Sequence, residues 1–360
     1  MQAVRALLRK GEAGVGRTHA GLMLTALVVG LIGVSLAAAG HGAVPLSAAQ
    51  VLAIWLQPLG IDLPVEVARH EHLVMWEIRL PRVLMAILVG AALAVSGAAL
   101  QGLFRNPLAD PALIGVSSGA AVSAAAVMST GWVAGAGVLA RFSVPLAAFA
   151  GGVVTTLLIY RLATVQGRTQ VTTMLLGGIA ITALAGALLG LLSYLADDAT
   201  LRAINYWTMG SLGGASWSQL VIVLPLLLAA MTALPARAQA LNALLLGEAE
   251  AGHLGFNVQR VKLQIIMLVA LAVGAAVSVS GIISFVGLVV PHLLRALIGP
   301  DHRYLLPGSA LLGGLLLVLA DLLARTWIAP AELPIGVVTA LMGAPFFLWL
   351  LWQQRQRSYF

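Results

Sequence analysis

The chain has 360 residues, of which 60% are hydrophobic and 9% charged, with no Cys and a net charge of +7. A soluble domain carries about a quarter charged residues because it must still cover itself with polar surface, so a soluble enzyme, a disordered chain and a disulfide scaffold are excluded. The excess of 20 Lys+Arg over 13 Asp+Glu could suit a nucleic-acid partner, but the cations lie between long apolar runs, and the partner this pattern indicates is a lipid bilayer.

A bilayer core of ~30 Å takes about 20 apolar residues per helix. Runs of that kind lie at 21–39, 80–103, 112–130, 143–162, 172–196, 217–236, 264–283, 284–299, 306–327 and 334–352, which predicts an all-α integral membrane protein of about ten transmembrane helices forming one domain over 1–360. No A-x-A-like site closes the first run, so it is expected to stay in the protein behind a short N-terminal segment, 1–20. The stretch 42–78 holds Asp62, Glu66, Glu71, Glu77 and three prolines, which predicts a loop with one or two surface helices. Within it His70, Glu71 and His72 lack the H-E-x-x-H spacing of a zinc site, so no metal site is expected.

Gly-x-x-x-Gly spacings at Gly115–Gly119, Gly131–Gly135 and Gly186–Gly190 allow close helix packing. Segment 199–214 mixes Arg202, Asn205, Tyr206 and Trp207, the composition of an amphipathic helix at a membrane interface. In 238–262, Leu241 to Leu246 reads as a short apolar helix ending at Gly247, and Glu248 to Leu254 as a second one closed by Gly255. The run at 284–299 is short, and His292, Arg295, Asp301, His302 and Arg303 form a polar turn around its end.

Lys and Arg stay on the cytoplasmic side during insertion. With ten spans and a cytoplasmic N-terminus, Arg5, Arg9, Lys10, Arg17, Arg105, Arg161, Arg168, Arg237, Arg260, Lys262, Arg295, Arg303, Arg355 and Arg357 fall inside. Only Arg69, Arg79, Arg82, Arg141, Arg202 and Arg325 fall outside, so both termini are expected in the cytoplasm. Neither Lys follows a G-x-x-x-x-G-K-[ST] loop, so the chain has no phosphate loop of its own. A proton-coupled secondary transporter would need carboxylates or histidines within the spans. Asp321 is the exception to their absence, and an i,i+4 pair with Arg325 accounts for it. A membrane enzyme is disfavoured because no acid, base and nucleophile set converges.

Two stretches carry more than composition: RLPRVLMAILVGAALAVSGAALQGLFRNPLADPALIGVSSGAA, Arg79 to Ala121, and SGIISFVGLVVPHLLRALIGPDHRYLLPGSALLGGLLLVLADLLAR, Ser280 to Arg325, followed by ELPIGVVTALMGAPFFLWLL. They resemble the FecCD-type permeases, membrane subunits of ABC importers for cobalamin, ferric siderophores and heme; the first 78 residues match only in layout. The resemblance implies a type II importer permease in a bacterial inner membrane, with spans two to five and seven to ten as an inverted repeat. It implies a homodimer, two ABC ATPase subunits that hold ATP and Mg, and a periplasmic binding protein, with no enzyme activity and no bound cofactor in this chain. By the family pattern, Arg79, Arg82 and Arg325 would receive acidic residues of the binding protein, although they could equally anchor helix ends. Leu241, Leu245, Gly247, Glu248, Glu250 and Gly255 would belong to coupling helices seated in the ATPase. The segment from Tyr194 to Gly214 is most similar to the heme branch, with ferric siderophore and then cobalamin as alternative cargo. It offers Tyr206, Met209 and Ser211 as pathway residues.

Overall fold

The computed structural model of the chain describes residues 17–357 apart from 43, 45 and 131–137. Arg5, Arg9, Lys10 and the pair Gly131–Gly135 lie outside the described residues, as do the side chains of Arg17, Arg141, Arg355 and Arg357. Within a bilayer each backbone N–H and C=O must find its partner in its own segment, and the apolar runs are accordingly helical.

In chain order these are α1 (Arg17–Gly40), α2 (Ala48–Leu56), α3 (Arg69–Leu73), α4 (Leu80–Phe104) and α5 (Val116–Ser129). Then come α6 (Val138–Leu162), α7 (Val171–Leu195), α8 (Asp198–Thr208), α9 (Trp217–Ala233), α10 (Ala238–Leu246) and α11 (Glu248–His253). The last four are α12 (Val258–Ser280), α13 (Val286–Ile298), α14 (His302–Thr326) and α15 (Ile335–Arg357). Among the described residues, seven helices are long and apolar enough to cross a membrane, and three shorter apolar ones, α5, α13 and the Ile335–Trp349 part of α15, bring the number to ten.

Three of the boundaries that differ from the sequence reading have a clear local cause. The second span does not begin at residue 80: α3 runs through a π-helical turn, Val74–Arg79, into α4, so one helix continues from Arg69 to Phe104. Its first part is polar and carries no hydropathy signal. The third span is split by Gly115, whose φ of 80° ends a 3₁₀ turn at Pro111–Ile114 and starts α5. α12 begins at Val258, because Asn257 accepts a hydrogen bond from the Arg260 N–H and so starts the helix ahead of the apolar run.

The helix lengths repeat. α4 to α7 have 25, 14, 25 and 25 residues, and α12 to α15 have 23, 13, 25 and 23. Each short second member starts just after a left-handed residue, Gly115 (φ 80°) or Phe285 (φ 68°). This is the pattern expected of duplicated halves.

α4 is the axis of the subunit, packed by α9, α12, α13 and α14. Its backbone meets that of α13 directly at Gly97 and Gly287, where a Cβ on Gly97 would collide with the Gly287 carbonyl. Of the most apolar window, 83% is buried in the continuous Arg69–Phe104 helix against 11% in α7. Of the two Gly-x-x-x-Gly pairs within the described residues, Gly119 abuts Gly151 and Thr155 of α6, whereas Gly186 and Gly190 on α7 face open space.

Candidate functional site

Polar side chains collect at the two ends of the bundle. At one end α1 stops, and the last carbonyls of a helix have no partner within it. Arg79 Nη1 donates to the carbonyls of Ala39 (2.7 Å) and Gly40 (3.1 Å), and Nη2 to that of Val44. Arg325 Nη1 donates to the His41 carbonyl (3.0 Å) and Nη2 to that of Ala38. Two guanidiniums thus close the C-terminus of α1, where the helix dipole favours cations.

Arg82 stands between two carboxylates. Its Nε donates to both oxygens of Asp321 (2.9 and 3.2 Å), and Nη1 and Nη2 donate to the two oxygens of Glu332 at 3.0 Å each. The i,i+4 contact of Asp321 with Arg325 is present at 3.5 Å, but Arg82, 239 residues away, is the nearer partner. The three arginines singled out from the sequence therefore do converge. Their side chains are buried, and most of their donors are engaged within this chain.

Beside this cluster lies the turn after α8. The α8 helix is started by Asp197, whose carboxylate accepts the Thr200 N–H at 2.7 Å. Backbone and hydroxyl hydrogen bonds from Thr200 hold that carboxyl below the usual range. The turn is pinned by three backbone bonds: Ser211 N–H to the Ser280 carbonyl (2.8 Å), Ile335 N–H to Gly210 (3.0 Å) and Gly336 N–H to Met209 (3.1 Å). Gly210 (φ 75°) lies against the Ile282 carbonyl and Gly281 (φ 67°) against that of Trp207, so neither position has room for a side chain. The Tyr206 hydroxyl is 3.0 Å from Ser211 Oγ, and Tyr206 and Met209 are each about half exposed. Glu332 Oε2 comes within 3.3 Å of the place a Cβ on Gly213 would occupy, so the arginine cluster and the α8 turn form one mouth.

The other end carries the knob of α10 and α11, joined through Gly247 (φ 132°). α11 closes with Gly255 (φ 89°), the Phe256 N–H returning to the Ala251 carbonyl at 3.1 Å. Asn242 is the polar key of the knob. Its Nδ2 donates to Asp301 (2.7 Å), and its Oδ1 accepts from the backbone N–H (2.9 Å) and Nδ1 (2.8 Å) of His302 at the start of α14. Burial opposes ionisation of Asp301, but the Arg303 N–H, the Asn242 amide and the charges of Arg303 and His302 outweigh it and hold the carboxyl below its ordinary range.

Leu241 and Leu244 are buried, whereas Leu245, Leu246 and Leu254 are exposed. Glu248 is bound to Lys262 of α12 at 2.7 Å, and the same ammonium donates to the Thr169 carbonyl at 2.9 Å. Thr169 belongs to a small hairpin, Thr164–Val165 with Arg168–Thr169, that joins α6 to α7. The carboxylate of Glu250 lies over Gly247. In the segment before Arg79, Glu71 accepts from the Ala68 N–H (2.8 Å) and the Gln50 amide, and His72 stacks on Trp76, so Glu71 and His72 have local roles.

Residues 22–353 match the FecCD transport family. The chain belongs to that family. As a FecCD protein it is a multi-pass permease of the ABC-transporter type. The hemin transport system permease protein of Yersinia pestis is 45% identical over 95% of this chain and 98% of its own length. The cobalamin import system permease protein of Halobacterium salinarum is 44% identical over 81% of this chain and 77% of its own. A solved structure of a metal-chelate type ABC transporter in an inward-facing conformation aligns with a TM-score of 0.80 and 31% identity, over 92% of this chain and 99% of that one.

Two residues of this FecCD chain that organise the ends were not singled out from the sequence. Glu332 is a lone acid in a short apolar connection seven residues after Arg325, and Asn242 is the one amide facing inward from an apolar helix. A search for isolated polar residues within apolar runs would have flagged both.

Proposed function

We propose that this FecCD permease is the membrane subunit of an ABC importer that carries heme from a periplasmic binding protein to the cytoplasm. It works as a homodimer in a bacterial inner membrane, with both termini and the 238–262 knob in the cytoplasm and the 42–78 segment outside. The observation that carries the choice of heme is coverage. The hemin permease matches 95% of this chain, while the cobalamin permeases of Halobacterium salinarum and Vibrio vulnificus match 81% and 78%. A ferric siderophore or cobalamin is the alternative cargo.

The parts have distinct work in this reading. The binding protein presents acidic side chains to the end bearing Arg79, Arg82 and Arg325, where guanidinium pairing fixes its orientation. Cargo then passes along the path between the two copies, beside Tyr206, Met209 and Ser211. The open face of α7, with Gly186 and Gly190 unfilled, supports a second copy as its partner.

On the cytoplasmic side, Leu245, Leu246 and Leu254 offer apolar surface to a cleft in each ATPase subunit. Gly247 and Gly255 shape the knob, and Leu241 seats it. Glu248 braces it from inside through Lys262, leaving Glu250 as the outward acid. ATP and Mg belong to those partners, and closure of the ATPase pair moves the knob. A proton-driven carrier has no support from Asp321, which is held by Arg82 and Arg325.

The test is ATP-driven uptake into proteoliposomes holding the complete complex, comparing heme, a ferric siderophore and cobalamin, each with a matched binding protein. Uptake of heme alone is expected. Uptake driven by a proton gradient without ATPase subunits would defeat the reading, and uptake of cobalamin in place of heme would move the cargo to the alternative.

A further inference from the structure

We infer that Glu332 is an internal stand-in for the carboxylate of the docking protein: it occupies the outer edge of Arg82 in the free permease and yields that edge to an arriving acidic side chain. The inference rests on the reading of this end as the docking face.

The two carboxylates on Arg82 are unlike. The Asp321 side chain is 2% exposed, takes Nε, and is wedged between Arg82 and Arg325. The Glu332 side chain is 40% exposed and takes Nη1 and Nη2 through two parallel 3.0 Å bonds. That is the geometry in which a guanidinium receives a carboxylate from another molecule. Arg79 and Arg325 donate through their Nη atoms to backbone carbonyls between Ala38 and Val44, and those cannot leave without opening the end of α1. The outer edge of Arg82 is different, because its partner is a surface side chain that water can solvate once it is released.

Charge points the same way. Three arginines against Asp321 and Glu332 leave one net positive charge, and removal of Glu332 from the edge leaves two facing the newcomer. A neutral or misplaced surface cannot repay the loss of the Glu332 pair, so the stand-in also screens partners. The exchange is wired to the mouth. The residues that follow Glu332 bond to Ala324 (Leu333 N–H, 2.8 Å), Gly210 and Met209, so movement of Glu332 is felt in the α8 turn.

The test measures the affinity of the periplasmic heme-binding protein of the same system for the full permease–ATPase complex in nanodiscs. E332Q removes the charge at an exposed position and is expected to tighten docking about fivefold, the weight of a surface ion pair. R82Q/D321N keeps the buried charge balanced and is expected to weaken docking at least about tenfold. Adding E332Q to it should tighten docking far less than E332Q does alone, since the edge it would free is gone. If E332Q is unchanged or weaker while R82Q/D321N is weakened, the stand-in is overturned and docking at this face survives. If R82Q/D321N binds like the unaltered complex, the docking reading itself fails and takes the stand-in with it. A melting temperature lowered by E332Q together with weaker docking would assign Glu332 a purely structural role and overturn the inference.

Discussion

The two ends of the bundle solve opposite problems. At the Arg82 end the guanidiniums are turned inward, onto the carbonyls of α1 and onto Asp321 and Glu332. At the Asn242 end the polar groups anchor inward and three leucines are left in the open. Lasting interfaces between subunits are apolar, while transient ones rely on charge for orientation and speed of encounter. The contrast fits the proposed arrangement, with a permanent ATPase at the knob and a binding protein that comes and goes at the arginine end. An apolar face has no internal substitute for its partner and must stay covered, whereas a charged one can be satisfied internally until it is needed.

The comparison breaks most sharply at Arg82. Removing one partner of a buried ion pair leaves an uncompensated charge and costs about 3–5 kcal/mol. Arg82→Gln alone leaves Asp321 only its longer 3.5 Å contact with Arg325 and should lower the stability of the complex by up to about that much in denaturant unfolding in detergent. Asp321→Asn added to it should restore part of the loss, because Arg325 then loses its carboxylate. An equal loss in the single and double variants would show that Asp321 does not depend on Arg82.

At the other end Asn242→Leu removes three hydrogen bonds while keeping the branched shape of the side chain. If the knob drives α14 through this amide, the complex should still hydrolyse ATP but move at least about fivefold less cargo per ATP, the low end of a coupling between sites. Uptake and hydrolysis falling in proportion would mean that Asn242 only stabilises the knob.

Much of this architecture could be read from the chain because a bilayer imposes a length and a composition on each span. The two glycines of the knob were legible for the same kind of reason, since Gly247 and Gly255 stop helices in a way few other residues do. What could not be read was pairing across distance. Arg82 meets Asp321 and Glu332 over 239 and 250 residues, and nothing in a hydropathy pattern chooses among the acids of a chain. The same holds for Asn242, which sits within an apolar helix and meets its partners 59 and 60 residues on. The helix from Arg69 was missed because its first turn is polar and Glu77 and Arg79 interrupt the π-helical turn at Val74–Arg79, so its continuity leaves no periodic signal.

The smallest expected effect sharpens the comparison through pH. Asp301 starts α14 by accepting the Arg303 N–H at 3.0 Å and also holds Asn242. Its carboxyl is held below the unfolded value of about 3.9, so its contribution is fully present above that pH and is lost as pH falls through the folded value. Solvent screening keeps the contribution below about 1 kcal/mol. Asp301→Asn retains the acceptor for the Arg303 N–H and removes the charge. The variant should be slightly less stable at pH 7 and should converge on the unaltered protein as pH falls below about 4, in melting curves followed down from pH 7. Parallel curves over the whole range would mean that the Asn242–Asp301 contact works through hydrogen bonding alone, and the Asn242 end would then be insensitive to charge where the Arg82 end is governed by it.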